Sequence, residues 1–253
     1  MSIDSFKEKV RWNPWIGILV AIAALFGSQI LIGLVLSLYP LIQHWNSAQA
    51  SNWLDNSIFA QFIFVLLAES LAIVLVLYFL KRYPGSYRAI GLRKPKLSDP
   101  LYGLIAFPAY LIIYIVSLDI VTGLDKNLNL KQKQQIGFNN VHGGIDLILA
   151  FISLVLLPPI AEEIIFRGLT YSSLKKVLPV SLAVIMTSLL FAAGHLTEGG
   201  SGGPLYIAGI DTFCLSLILI LLREKTDGLW ASMTLHGLKN TIAFAALFAL
   251  HLN

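Results

Sequence analysis

Seven runs of apolar residues, near positions 15–39, 58–80, 101–121, 146–166, 179–196, 204–222 and 229–250, dominate this 253-residue chain. Each is long enough, or nearly so, to cross a bilayer as a helix, which takes about 20 residues. The composition agrees, with 57% hydrophobic and only 13% charged residues, against roughly 25% charged in an ordinary soluble domain. The runs are continuous rather than alternating, which argues against a barrel. The expected fold class is therefore all-α, a polytopic helical membrane protein with about seven transmembrane helices. An eighth crossing or a re-entrant piece fits where Pro158 and Pro159 interrupt the fourth run.

Several classes fall away at once. No internal repeat is visible, so an inverted-repeat transporter gains no support from symmetry. Cys214 is the only cysteine and can form no internal disulfide. Residues 1–11 are short and charged, with no small-residue cleavage site after them, so no signal peptide is expected. The net charge of +4 does not suggest nucleic-acid binding, because the basic residues fall in particular loops.

Those loops set an orientation. Lys7, Lys9, Arg11, the connector KRYPGSYRAIGLRKPK at 81–96, Lys175, Lys176, Arg223 and Lys225 fall on one side. Only Lys126, Lys131 and Lys133 fall on the other. Basic loops stay cytoplasmic, so the amino terminus is expected inside and the carboxyl terminus outside. Trp12 and Trp15 on one side, with Trp45 and Trp53 on the other, sit where interfacial aromatics belong.

Within this oily chain the stretch PPIAEEIIFRGL, 158–169, places Glu162, Glu163 and Arg167 in one apolar run. A charge at the centre of a membrane helix costs about 2.5–3.5 kcal/mol on insertion scales, so three demand a partner or a purpose. Glu163 and Arg167 are four residues apart and share a face, which lets them pair. Glu162 is turned about 100° away and is free to look elsewhere. Both glutamates serving only to neutralise the arginine and lock helices together is the competing structural account. Two further segments count against it: FAAGH, ending in His195 one turn after Phe191, and HGLKN, with His236 and Asn240 on one face. His44, His142 and His251 lie in loops or at the end and have no comparable setting.

EExxxR, FxxxH and HxxxN in this order on successive helices resemble the CPBP family. It groups type II CAAX prenyl endopeptidases with bacteriocin-processing and immunity proteins, also called Abi. The resemblance covers residues 147–247; the first half matches only as generic membrane helices. It implies an intramembrane endopeptidase that cuts a membrane-associated or lipidated protein or peptide. On that reading residues 1–253 form one membrane domain, with amino-terminal helices in 1–121 and the catalytic core in 146–250.

Peptide hydrolysis needs an activated water, a donor for the oxyanion and a proton for the leaving amine. Glu162 is the expected general base and His195 its partner in holding water or passing a proton. His236 and Asn240 are expected as oxyanion donors, a role the resemblance favours. Glu163, Arg167 and Phe191 would support them. A zinc-like metal on Glu162, His195 and His236 is the rival version, since two histidines and a carboxylate are a familiar set. HExxH is absent, relatives are described both as metalloproteases and as glutamate-dependent, and the choice stays open. The expected partners are the lipid bilayer and a peptide or membrane-anchored substrate, with no nucleic acid. The expected location is the plasma membrane of a bacterium.

Two other functions compete: a non-catalytic immunity or scaffold protein of the same fold, and a proton-coupled transporter relaying through Glu69, Glu162 and the histidines. Glu69 sits mid-membrane on the second run, where it extends the site or packs helices through a hydrogen bond. GGSGG at 199–203 satisfies the G-x-S-x-G pattern of serine hydrolases, but follows no strand and forms no elbow. Asp119, Asp146 and Asp211 are expected near hydrated helix ends. Lys239 is expected to snorkel without a role. Tyr171, Lys175 and Lys176 are read as a membrane boundary.

Overall fold

The computed structural model describes residues 10–250 apart from 127, 130, 131 and 133. His251, Lys7, Lys9, Lys131 and Lys133 therefore lie outside the described residues, as does the side chain of Ser201. Among the described residues there are helices and turns and no strand. In chain order the helices are α1 (Pro14–Ile42), α2 (Ser47–Asn56), α3 (Ile58–Leu80), α4 (Ser86–Ala89), α5 (Ser98–Leu124), α6 (Ile145–Val177), α7 (Val180–His195), α8 (Tyr206–Thr226) and α9 (Trp230–Phe244). A π-helical turn, Ala245–Ala249, prolongs α9. Six of these, α1, α3, α5, α6, α7 as continued to Gly200, and α8, are long and apolar enough to cross a membrane. With α9, seven long helical runs stand where seven were expected, and the chain is a polytopic helical membrane protein.

The fourth run departs most from its expected bounds. It neither breaks nor re-enters at the proline pair, but continues as α6 to Val177. Pro158 and Pro159 lack the N–H groups that a helix needs at those positions. The backbone widens instead: Ile152–Leu156 is π-helical, and the N–H of Leu157 donates to the carbonyl of Ile152. A second π-helical stretch, Glu163–Thr170, begins right after Glu162. Such bulges are frequent at functional sites because they re-aim side chains. Tyr171 and Lys175, expected at a boundary, are buried within α6, with Lys175 Nζ 2.6 Å from Glu224.

The basic connector is anchored to the protein at Ser86, Ala89, Ile90, Gly91 and Arg93, while Lys81, Arg82, Arg88, Lys94 and Lys96 stay exposed. Arg93 pairs with Asp99 at 2.6 Å and donates to the carbonyl of Thr226 at 2.8 Å. Trp230 Nε1 donates to the carbonyl of Arg93 at 2.6 Å, and the N–H of Leu229 to that of Gly91. Arg223 reaches across to the carbonyl of Ala89 at 2.9 Å. Gly91 permits this approach: it has φ +91°, and a Cβ there would stand 2.6 Å from Arg223 Nε. These bonds clamp the turn between α8 and α9 beneath the connector, so Leu229, Ala231 and Ser232 are buried. α9 thus starts inside the protein, and His236 comes against the ring of Phe191, which also meets His195. On its other flank, α5 comes close through Gly103, where a Cβ would meet the carbonyl of Ala231 at 2.7 Å.

The main core runs from the basic side inward. Val10, Trp12, Leu80, Ile90 and Leu229 form its outer end, and Ile164, Ile165, Phe166, Leu169 and Phe191 its inner end. Trp12 Nε1 donates to Ser173 Oγ at 2.9 Å, which satisfies the one polar atom of a fully buried indole.

Candidate active site

The motif residues of three helices meet on the ring of Phe191. This ring is fully buried and stands edge-on to His195 at 4.6 Å, to His236 at 5.9 Å and to Phe166 at 5.0 Å between centroids. The guanidinium of Arg167 lies over it at 4.1 Å. An aromatic face is the partner a buried cation can use where no water reaches it. Nε and Nη2 of Arg167 make no hydrogen bond among the described residues. Its charge is met by Glu163, whose Oε1 is 3.1 Å from Arg167 Nη1, with both side chains fully buried.

The same oxygen holds a second partner. His236 Nδ1 is 3.1 Å from Glu163 Oε1. A carboxylate oxygen only accepts, so Nδ1 carries the proton and Nε2 is the free ring nitrogen. Nε2 faces Glu162 Oε2 at 3.7 Å. That gap is too long for a direct hydrogen bond. Glu162 Oε2 is buried and has no hydrogen-bond partner among the described residues. One imidazole therefore stands between two adjacent glutamates, bonded to one and separated from the other by a narrow gap.

His195 is fixed from its own helix. Its Nδ1 lies 2.9 Å from the carbonyl of Phe191, which accepts, leaving Nε2 as the free nitrogen. Nε2 is 3.9 Å from Glu198 Oε1. Glu198 is a neighbour the sequence reading missed; its spacing of three from His195 was the available signal. Its other oxygen accepts from Gln134 Nε2 at 2.5 Å, and its carbonyl accepts from the N–H of Gln135.

Asn240 has a bond that sequence alone did not suggest. Its Nδ2 donates to the carbonyl of Leu154 at 3.0 Å. In a helix that carbonyl looks to the N–H four residues on, and in a π turn to the one five residues on. Here those are Pro158 and Pro159, and neither has an N–H. Asn240 thus supplies the donor that the proline pair removed, and the third motif is tied to the first through the backbone.

Around this group the remaining charges divide. Glu69 lies on α3 beside the buried Ala68 and Ala72, whose small side chains let α6 approach. Asp211 does not sit at a hydrated end as expected: it is partly buried, accepts from Tyr110 and pairs with Lys239 Nζ at 3.0 Å. Lys239 accordingly does not snorkel. A side chain one position from Asn240 finds its counter-charge inside the protein. Among the described residues no three His, Cys, Asp or Glu side chains are placed to hold a metal ion together. The donor set Glu162, His195 and His236 does not converge on one point here.

A cavity of about 1060 Å³ adjoins the group. Leu154 and Asn240 form its wall toward the site, Phe244 and Phe248 of the α9 end line it, and Gln134 and Asn139 of the 126–144 connector cover it.

A family model described as Type II CAAX prenyl endopeptidase Rce1-like matches residues 144–242, less than half of the chain. Comparison with curated proteins and with solved structures gives no match. The matched span contains Glu162, Glu163, Arg167, Phe191, His195, His236 and Asn240. The part of the chain that gathers these residues is thus similar to the Rce1-like, type II CAAX prenyl endopeptidases, in line with the CPBP resemblance of its three motifs.

Proposed function

We propose that this integral membrane protein is an intramembrane endopeptidase in which Glu162 and His236 activate water against a peptide bond of a membrane-associated substrate. The observation that carries the proposal is the position of His236 between the two glutamates, 3.1 Å from Glu163 and 3.7 Å from Glu162. The gap before Glu162 has a buried acceptor on one side and a free ring nitrogen on the other, which suits a proton passed through one water.

In the proposed cycle Glu162 takes a proton from the attacking water. The proton moves to Nε2 of His236, whose Nδ1–H is held by Glu163 as counter-charge, and from there to the leaving amine. This is the logic of a base oriented by a buried carboxylate, with Arg167 fixing that carboxylate in turn. The role differs from the oxyanion donation read from sequence, because a ring nitrogen that lacks a proton in the resting state cannot donate at the first step. Asn240 keeps the oxyanion role through its second amide N–H, the first being committed to Leu154. His195, with Nδ1–H bound to Phe191, offers Nε2 as an acceptor that orients the attacking water.

The proposed placement is a bacterial plasma membrane with the basic connectors cytoplasmic, supported by the concentration of Lys and Arg on one side. The substrate is a peptide or a membrane-anchored protein. The test is direct: purified protein with Glu162→Gln should remain folded and inserted while losing cleavage. Turnover retained by that variant would remove Glu162 from the chemistry and the proposal with it.

A further inference from the structure

The site is closed toward the basic connectors and open toward the opposite face. On the basic side the core is filled by Trp12, Leu80, Ile90 and Leu229, all fully buried, and is tied to the connector by the bonds of Arg93 to the carbonyl of Thr226 and of Arg223 to the carbonyl of Ala89. On the other side lies the cavity of about 1060 Å³, whose wall includes Asn240, the residue that ties the third motif to α6. A volume of this size falls at the upper end of those that hold whole ligands.

Its lining states what it takes. Phe244, Leu247 and Phe248 make an apolar floor, and Gln134 and Asn139 bring amides to the rim. Amides donate and accept at once, as a peptide backbone requires. Lys239 is the only Lys or Arg among the described lining residues, and Asp211 already holds it at 3.0 Å. Apart from the imidazole of His142, the described walls therefore carry no basic group without a carboxylate partner, which favours an uncharged segment of polypeptide over a phosphate-bearing headgroup.

Resting on the proteolytic reading above, we infer that this cavity is the substrate subsite, and that it receives an extended peptide with bulky apolar side chains from the face opposite the basic connectors. The peptide's apolar side chain fills the floor beside Phe244 and Phe248, and its backbone passes Asn240 on the way to Glu162.

The experiment uses the full chain in sealed proteoliposomes and two internally quenched peptides, one with a central Leu-Phe pair and one with a central Gly-Ser pair. Ala243→Trp, which fills the cavity from α9, should raise KM for the Leu-Phe peptide about tenfold or more and leave kcat within about threefold. The Gly-Ser peptide should be the poorer substrate of the unmodified protein. Bulk can also be added after folding: in a Cys214→Ala background, Ala246→Cys should react with a membrane-impermeant maleimide only in vesicles that expose the 126–144 connector. That reaction should block cleavage.

Unchanged KM in Ala243→Trp, while Glu162→Gln still abolishes cleavage, would overturn the subsite and leave the protease standing. Labelling from the basic face would overturn the direction of entry. Loss of a co-purifying lipid from Ala243→Trp with KM unchanged would assign the cavity to an acyl chain and overturn the peptide. Cleavage that survives Glu162→Gln would instead remove the proteolytic reading itself.

Discussion

The three amino-terminal membrane helices and the three that follow obey different rules. α1, α3 and α5 are the more apolar as a group, yet they leave most of their surface uncovered; only 6% of the most apolar stretch of α5 is buried in the protein. α8 is less apolar, and 56% of its corresponding stretch is buried. In water the oilier helix would be the inner one. In lipid the acyl chains are as apolar as leucine, so hydrophobicity does not draw helices together, and small or polar residues mark the inside. The inner face of α8 carries Gly209, Thr212, Cys214 and Ser216, and α6 buries Glu163, Arg167, Thr170, Ser172 and Ser173. The amino-terminal helices form a lipid-facing jacket; the later ones hold the three motifs of the candidate site.

The sharpest way to break that division is to neutralise one buried carboxylate in each half. Glu162→Gln should lower the cleavage rate by about 10²–10⁴-fold, the range of a general base. Glu69→Gln, on the amino-terminal α3, should leave it within a few fold, as measured on the same quenched peptide. An equal loss at Glu69 would move part of the catalytic machinery into the jacket.

The next effect concerns stability. Arg167→Met removes a fully buried cation and leaves Glu163 charged beside His236 without it. Breaking one partner of a buried pair costs about 3–5 kcal/mol, whereas replacing both is often near neutral. Thermal unfolding in micelles should show a large drop for Arg167→Met. Most of it should return in the double variant Glu163→Gln/Arg167→Met, which stays inactive. A single variant as stable as the parent would mean that the arginine is not held as described.

How far these features were legible in sequence follows the same physics. The crossings could be read because membrane helices must satisfy their backbone internally and so form long continuous runs. Glu162, Glu163, Arg167, His195 and His236 stood out because each is costly in lipid. What could not be read was pairing across the fold. Nothing in the string of residues links Lys239 to Asp211, or Arg93 to the carbonyl of Thr226, since both depend on which helices become neighbours. The proline pair was visible, but its outcome depended on a donor 86 positions away: Asn240 at the carbonyl of Leu154.

Asn240→Ala should separate that structural duty from catalysis. It strands the carbonyl of Leu154, at a cost of about 1–3 kcal/mol for a buried unsatisfied group. It also removes the proposed oxyanion donor. Asn240→Gln keeps an amide but places it one methylene further out. Recovery of the unfolding temperature without recovery of kcat would show two separable roles. Loss of stability alone, with kcat intact, would leave Asn240 as a brace for the proline pair and no more.

The smallest effect tests the jacket itself. Ile105 and Ile112 on α5 are 64% and 63% exposed and face away from α8 and α9. In a soluble core, isoleucine to alanine costs about 2–5 kcal/mol, much of it for the cavity left behind. Here the space opened by Ile105→Ala or Ile112→Ala is filled by an acyl chain as readily as by a side chain. No void persists, and no polar group is uncovered. Both variants should unfold within about 0.5 kcal/mol of the parent, as surface changes usually do, and cleave at the same rate. A loss several times larger would mean that this face of α5 is packed against protein rather than lipid, and the jacket would have to be redrawn as an interface.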